Sequence, residues 1–107
     1  MEINWIRECI RQGRYVVSFT HTEKLRRRRI GIREIEEAAH SGAIIEEYPS
    51  DPRGPSCLVL GRTEAGRAIH VVCGTTQEGG LLIVTAYEPD PAEWEPDWKT
   101  RKQRRQP

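Results

Sequence analysis

The sequence predicts an α+β domain, with N-terminal helices packed on one face of an antiparallel sheet of about four strands. Three observations lead there. Apolar residues recur at helical spacing early in the chain, as Ile3, Ile6 and Ile10 and again as Ile32, Ile35, Ala38 and Ala39. After Gly42 the texture changes to short β-branched and aliphatic runs: Ala43-Ile44-Ile45, Cys57-Leu58-Val59-Leu60, Ala68 to Cys73 and Leu81 to Tyr87. Glycine and proline punctuate the chain between them, at Gly13, Gly31, Gly42, the Pro49 to Pro55 loop, Gly66 and Gly79-Gly80.

The first helix, about 3–12, takes its apolar face from Ile3, Ile6 and Ile10 with Trp5 and Cys9, and Gly13 stops it. Tyr15-Val16-Val17-Ser18-Phe19 predicts a short strand or extended entry. Thr20 and Glu23 then have capping-box spacing, a cap worth about 1 kcal/mol, which puts His21 in the first turn of a helix running to roughly Arg29. Gly31 breaks that helix. The next begins near Ile32, carries Glu34, Glu36 and Glu37 early, and is closed by Gly42. Strands follow from Ala43 to Tyr48, from Cys57 to Arg62 and from Ala68 to Cys73, the last two flanking a Gly66 turn as a hairpin. Pro89 and Pro91 end strand pairing after Tyr87. Trp94 and Trp98 suggest a short terminal helix, beyond which a basic tail, 99–107, is expected to fray.

A chain of 107 residues makes one domain with a modest core. Its 36% hydrophobic and 31% charged residues exclude a disordered or collagen-like chain. No apolar run approaches the ~20 residues of a membrane span, and no signal-peptide block opens the chain, so a cytoplasmic location is expected. Cys9, Cys57 and Cys73 form no Cys-x-x-Cys pair, which fits free, mostly buried thiols in a reducing compartment. Histidines and cysteines lack the short paired spacing of a zinc site, so neither a metal nor a cofactor is expected. Net charge is only +1, but it is segregated. Lys24 and Arg26 to Arg29 are followed by an acidic stretch, and Lys99, Arg101, Lys102, Arg104 and Arg105 make the tail basic again. Such blocks attract phosphate within a Debye length of about 10 Å.

Strand side chains alternate, so His70 and Val72 point one way while Ile69, Val71 and Cys73 point the other. In the last strand Leu82, Val84 and Ala86 form the purely apolar set and are expected beneath the helices. His70 then shares an open sheet face with Thr85 and Tyr87. With His21 and the arginine run nearby, this constellation pairs acid–base groups with cations, which is what metal-free RNA cleavage needs. A strand histidine is also a common structural group, and His40, near a helix C-terminus, reads as structural.

Three stretches carry a family resemblance. They are His21 with Arg29-Ile30 and Ile35-Glu36-Glu37-Ala38; Gly42-Ala43-Ile44-Ile45-Glu46-Glu47-Tyr48-Pro49; and Pro55 to Gly61, Arg67 to Val72 and Thr85-Ala86-Tyr87-Glu88-Pro89-Asp90-Pro91 with Trp94. Together they resemble a bacterial domain-of-unknown-function family whose genes often neighbour zinc-ribbon antitoxins of the MqsA type. That family is more remotely similar to the barnase–EndoU–colicin–RelE group of ribonuclease toxins. The resemblance implies a RelE/barnase-like fold and metal-independent RNA cleavage in which the ribose 2′-hydroxyl attacks the adjacent phosphate. It carries catalytic roles to His21, Arg29, His70 and Tyr87, and implies a zinc-ribbon antitoxin as partner. RelE-type toxins favour lysine and arginine on their strands, where this chain has His70 and Tyr87, so an EndoU-like chemistry fits better.

In that mechanism the helix dipole disfavours a charged His21, making it the base and His70 the acid. Arg26, Arg28, Thr85, Lys99 and Arg101 are the expected RNA contacts. The alternative is a non-catalytic RNA- or protein-binding module using the same sheet face.

Overall fold

The computed structural model describes residues 1–18 and 22–103. The elements run α1 (Ile3–Arg11), β1 (Tyr15–Val17), α2 (Thr22–Arg27), α3 (Ile32–Ser41), β2 (Ala43–Tyr48), β3 (Ser56–Arg62), β4 (Ala68–Thr75) and β5 (Leu81–Tyr87). The helices-first, strands-later order is as expected. The sheet, however, has five strands in the order β1-β5-β4-β3-β2, and β1 pairs parallel with β5. The extra strand is the short Tyr15 segment, which reaches the sheet edge because β5 leaves an unpaired flank there. Among the described residues no helix is long and apolar enough to cross a membrane.

Helices α1, α2 and α3 all contribute to one core. Ile6, Cys9 and Ile10 from α1, Leu25 from α2, and Ile35, Ala38 and Ala39 from α3 meet Cys57, Val59, Ile69, Val71, Cys73, Leu81, Ile83 and Ala86 from the sheet. The three cysteines are free and buried. The layers come very close at Gly61, where an added Cβ would sit 1.7 Å from the carbonyl oxygen of Ala38. Glycine at 61 and alanine at 38 let α3 lie directly on β3.

The parity of β5 differs from simple alternation. Thr85 pairs with Val72 but Ile83 pairs with Cys73, so Val84 is an extra residue in a β-bulge. The bulge reverses the inward set partway along the strand. Ala86 packs beneath the helices as expected, but Leu81 and Ile83 occupy the core in place of Leu82 and Val84. Those two line a cleft on the other side with Val72 and Gly74. A second irregularity lies between Ile44 and Glu46 in β2; it places Glu46 opposite Leu58 and Tyr48 opposite Ser56.

The helix α2 ends earlier than expected. Ile30 N–H bonds to Leu25 C=O and Arg29 N–H to Arg26 C=O, with Arg29 in the left-handed region at φ 56°. That is a Schellman turn, with buried Leu25 and Ile30 as its apolar pair. It closes the helix before Gly31 is reached. The proposed Thr20 cap and His21 lie outside the described residues.

Among the described residues no helix follows β5. Residues 89–103 make a strap of turns in which Trp94 and Arg101 pair as an antiparallel bridge. Glu95 N–H bonds to Thr100 C=O and Lys102 N–H to Glu93 C=O, while the Asp97 carboxylate accepts from the Lys99 and Thr100 N–H groups, each at 3.0 Å. Pro91 and Pro96 deny this stretch the backbone donors a regular helix would use. Arg101 returns to the sheet through Glu46, while Lys99 and Thr100 stay exposed in the turn held by Asp97.

Candidate functional site

His70 and Tyr87 stand side by side on the sheet face opposite the helices, in register across β4 and β5. Their rings meet edge-on with centroids 5.4 Å apart. The sequence-based grouping of His70, Thr85 and Tyr87 on one face holds, because the bulge lies before Thr85. The face itself is not open. Trp94 from the strap packs edge-on against His70 at 4.6 Å and is only 2% exposed, and His70 is fully buried.

The strap also occupies the imidazole's polar edge. Nε2 of His70 lies 2.6 Å from the backbone carbonyl of Trp98. A carbonyl can only accept, so Nε2 carries the proton. Nδ1 is buried without a hydrogen-bond partner among the described residues. Burial pushes the His70 pKa below its ordinary value; the Trp98 carbonyl and Glu46 pull the other way but do not prevail. The ring is thus held neutral, with Nδ1 unprotonated. An acid needs the charged ring, which this burial disfavours.

Glu46 and Tyr48, brought to this face by the β2 irregularity, anchor the strap. Arg101 donates to both Glu46 carboxylate oxygens, at 2.7 and 2.9 Å, while its guanidinium lies 4.5 Å from the Trp94 ring centroid. Tyr48 Oη donates to the same carboxylate. Arg101 holds the Glu46 pKa below the usual carboxylate value. The Tyr48 phenol is pushed up to about 12, first by burial and then by Glu46. Arg101 is therefore engaged in an ion pair while its side chain remains exposed.

Arg28 enters from the other side. Its Nη1 donates to Thr85 Oγ1 at 3.2 Å and to the Ala86 carbonyl at 2.8 Å, and its guanidinium lies 5.9 Å from the Tyr87 centroid. Thr85 thus holds Arg28. Arg67 ties this corner together by donating to the Arg28 and Arg29 carbonyls at 2.7 and 2.8 Å and pairing with Glu88 at 2.6 Å. Arg26, Arg29 and Lys99 are exposed. Burial raises the Tyr87 pKa, so its hydroxyl stays protonated.

The structure brings together His70, Tyr87, Thr85, Arg28 and Arg101 of the expected site; His21 is outside the described residues. Sequence reasoning did not single out Glu46, Tyr48 or Arg67. Glu46 and Tyr48 sit two residues apart in a strand, a spacing that shares a face, which was the available signal.

The fold and this patch define an α+β domain whose sheet holds a histidine–tyrosine pair beneath a C-terminal strap. The chain belongs to the family described as Domain of unknown function (DUF4258), whose model matches residues 18–88. The match includes Arg28, Glu46, His70 and Tyr87 and stops before the strap. Neither the search of curated proteins nor that of solved structures produced a match.

Proposed function

We propose that the domain is a metal-independent endoribonuclease of the toxin type, related to the barnase–EndoU–colicin–RelE group. The observation that carries this reading is the convergence of a neutral imidazole, a protonated phenol and a guanidinium at His70, Tyr87 and Arg28. Neutral His70 takes the proton of the ribose 2′-hydroxyl as its oxygen attacks phosphorus. The bond to the 5′-oxygen breaks, and Tyr87 protonates that leaving oxygen; the proton held by His70 then restores the phenol. Arg28, fixed by Thr85 and Ala86, neutralises charge on the phosphorane. Exposed Arg26, Arg29 and Lys99 contact flanking phosphates, and His21 remains a further acid–base candidate. No cofactor takes part. A zinc-ribbon antitoxin of the MqsA type is the proposed restraining partner in the cytoplasm.

One observation favours the second reading, a non-catalytic RNA-binding module: the Trp98 carbonyl blocks Nε2 of His70. The two readings separate when pure protein is incubated with single-stranded RNA in excess EDTA. Fragments ending in 2′,3′-cyclic phosphate support the ribonuclease. RNA that is bound but intact supports the binding module.

A further inference from the structure

We infer that the distal part of the strap, 95–103, is an inhibitory latch over His70, opened when an RNA phosphate replaces Glu46 on Arg101. The inference rests on the ribonuclease reading of the His70–Tyr87 patch and adds its regulation. In the docked state neither imidazole nitrogen can reach a substrate, since Nε2 is occupied by Trp98 and Nδ1 is buried. A basic His70 therefore requires the Trp98 carbonyl to leave, so that the ring proton can move to Nδ1 and Nε2 becomes the acceptor facing the patch.

The attachments identify which part moves. Among the described residues no backbone–backbone hydrogen bond joins 89–103 to the sheet, so the strap can lift without breaking a strand ladder. Its polar ties to the sheet, among those residues, include the Trp98–His70 bond, the Arg101 ion pair with Glu46 and a contact of Arg101 with the Tyr48 hydroxyl beside it. Trp94 is buried, and exposing a large aromatic is costly, so it stays as the pivot. Lifting the distal part also parts the Lys102 N–H bond to the Glu93 carbonyl and the Trp94–Arg101 bridge. Trp98 is only half-buried and sits at φ 60°, a left-handed conformation that an L residue adopts at a cost and that lifting would relieve. Arg101 is the trigger because its guanidinium fits a phosphate in the same bidentate manner as a carboxylate. Glu46, which holds it, is the group that a phosphodiester would displace.

Access to His70 can be read without any RNA. In the full chain, diethyl pyrocarbonate modification followed by mass spectrometry compares His70 with exposed His40 as an internal reference. The wild type should modify His70 far more slowly than His40. Glu46→Gln should raise the His70 rate by about fivefold, the equivalent of losing one exposed ion pair, with His40 unchanged. Arg101→Gln is the second variant, and it carries the test if Glu46→Gln no longer melts cooperatively. An unchanged His70 rate in a folded variant overturns the latch. A raised rate together with faster RNA cleavage supports it, whereas a raised rate with wild-type cleavage overturns the inhibition. A raised rate with no cleavage by any form leaves the gate standing and removes the ribonuclease reading instead.

Discussion

The backbone carbonyl of Trp98 sits 2.6 Å from Nε2 of His70 and fixes which nitrogen of that buried ring bears the proton. One peptide group outside the family-matched region thereby sets the protonation state of a residue within it. The relationship has a measurable consequence for stability. His70 has a folded-state pKa below 6.5, whereas the unfolded chain titrates near that value. Below about pH 6.5 the unfolded state binds the extra proton, so His70's contribution is full above that pH and is lost as pH falls through the folded pKa. Urea midpoints of the wild type should drop across this window, and His70→Gln should flatten that part of the profile. Glu46, held low chiefly by Arg101, adds a second loss only below its ordinary 4.5.

The packing of α3 on β3 predicts a sharp contrast between two glycines. Gly61→Ala drives a methyl into the Ala38 backbone and should cost about 3 kcal/mol or more. Gly66 has φ +85° with nothing within 4 Å of an added Cβ, so Gly66→Ala should cost only about 1 kcal/mol of backbone strain. Chemical denaturation of the two variants checks the difference.

Arg29 occupies the left-handed turn position that glycine usually fills. Arg29→Gly should raise stability by about 0.5–1 kcal/mol while deleting an exposed cation. If this variant is more stable yet cleaves RNA more slowly, Arg29 acts on the phosphate; unchanged cleavage makes it a turn residue alone.

Much of this architecture is legible in the sequence because its signals are local. Helical spacing at Ile3-Ile6-Ile10 and Ile32-Ile35-Ala39, the Gly42 stop and the β-branched runs each depend on near neighbours. The pairing of His70 with Thr85 and Tyr87 on one face was likewise readable from alternation. The Val84 bulge was not, since it is set by the fit between strands rather than within one, and it exchanged Leu82 and Val84 for Leu81 and Ile83 in the core. Nor did composition reveal that a charged tail would return over the sheet. Lys99 and Arg101 look like a solvated run until Glu46, 55 positions away, is brought beneath Arg101.

Phosphate contact by Arg28 predicts a salt dependence. Using a 2′-O-methyl RNA that cannot be cut, Arg28→Gln should reduce the slope of log affinity against log salt by about 0.7. An unchanged slope would leave Arg28 as the partner of Thr85 and Tyr87 and nothing more.

The most direct measurement is the rate of RNA cleavage in excess EDTA by the wild type, His70→Gln, Tyr87→Phe and the double variant, each checked for a cooperative melt. If His70 and Tyr87 act on one phosphate, each single change should lower the rate by about 10²–10⁴. The double change should then add little to the worse single one, since the two groups work as a unit. Fragments from the wild type should end in 2′,3′-cyclic phosphate. Intact RNA with the wild type, or wild-type cleavage by folded His70→Gln and Tyr87→Phe, would contradict the account.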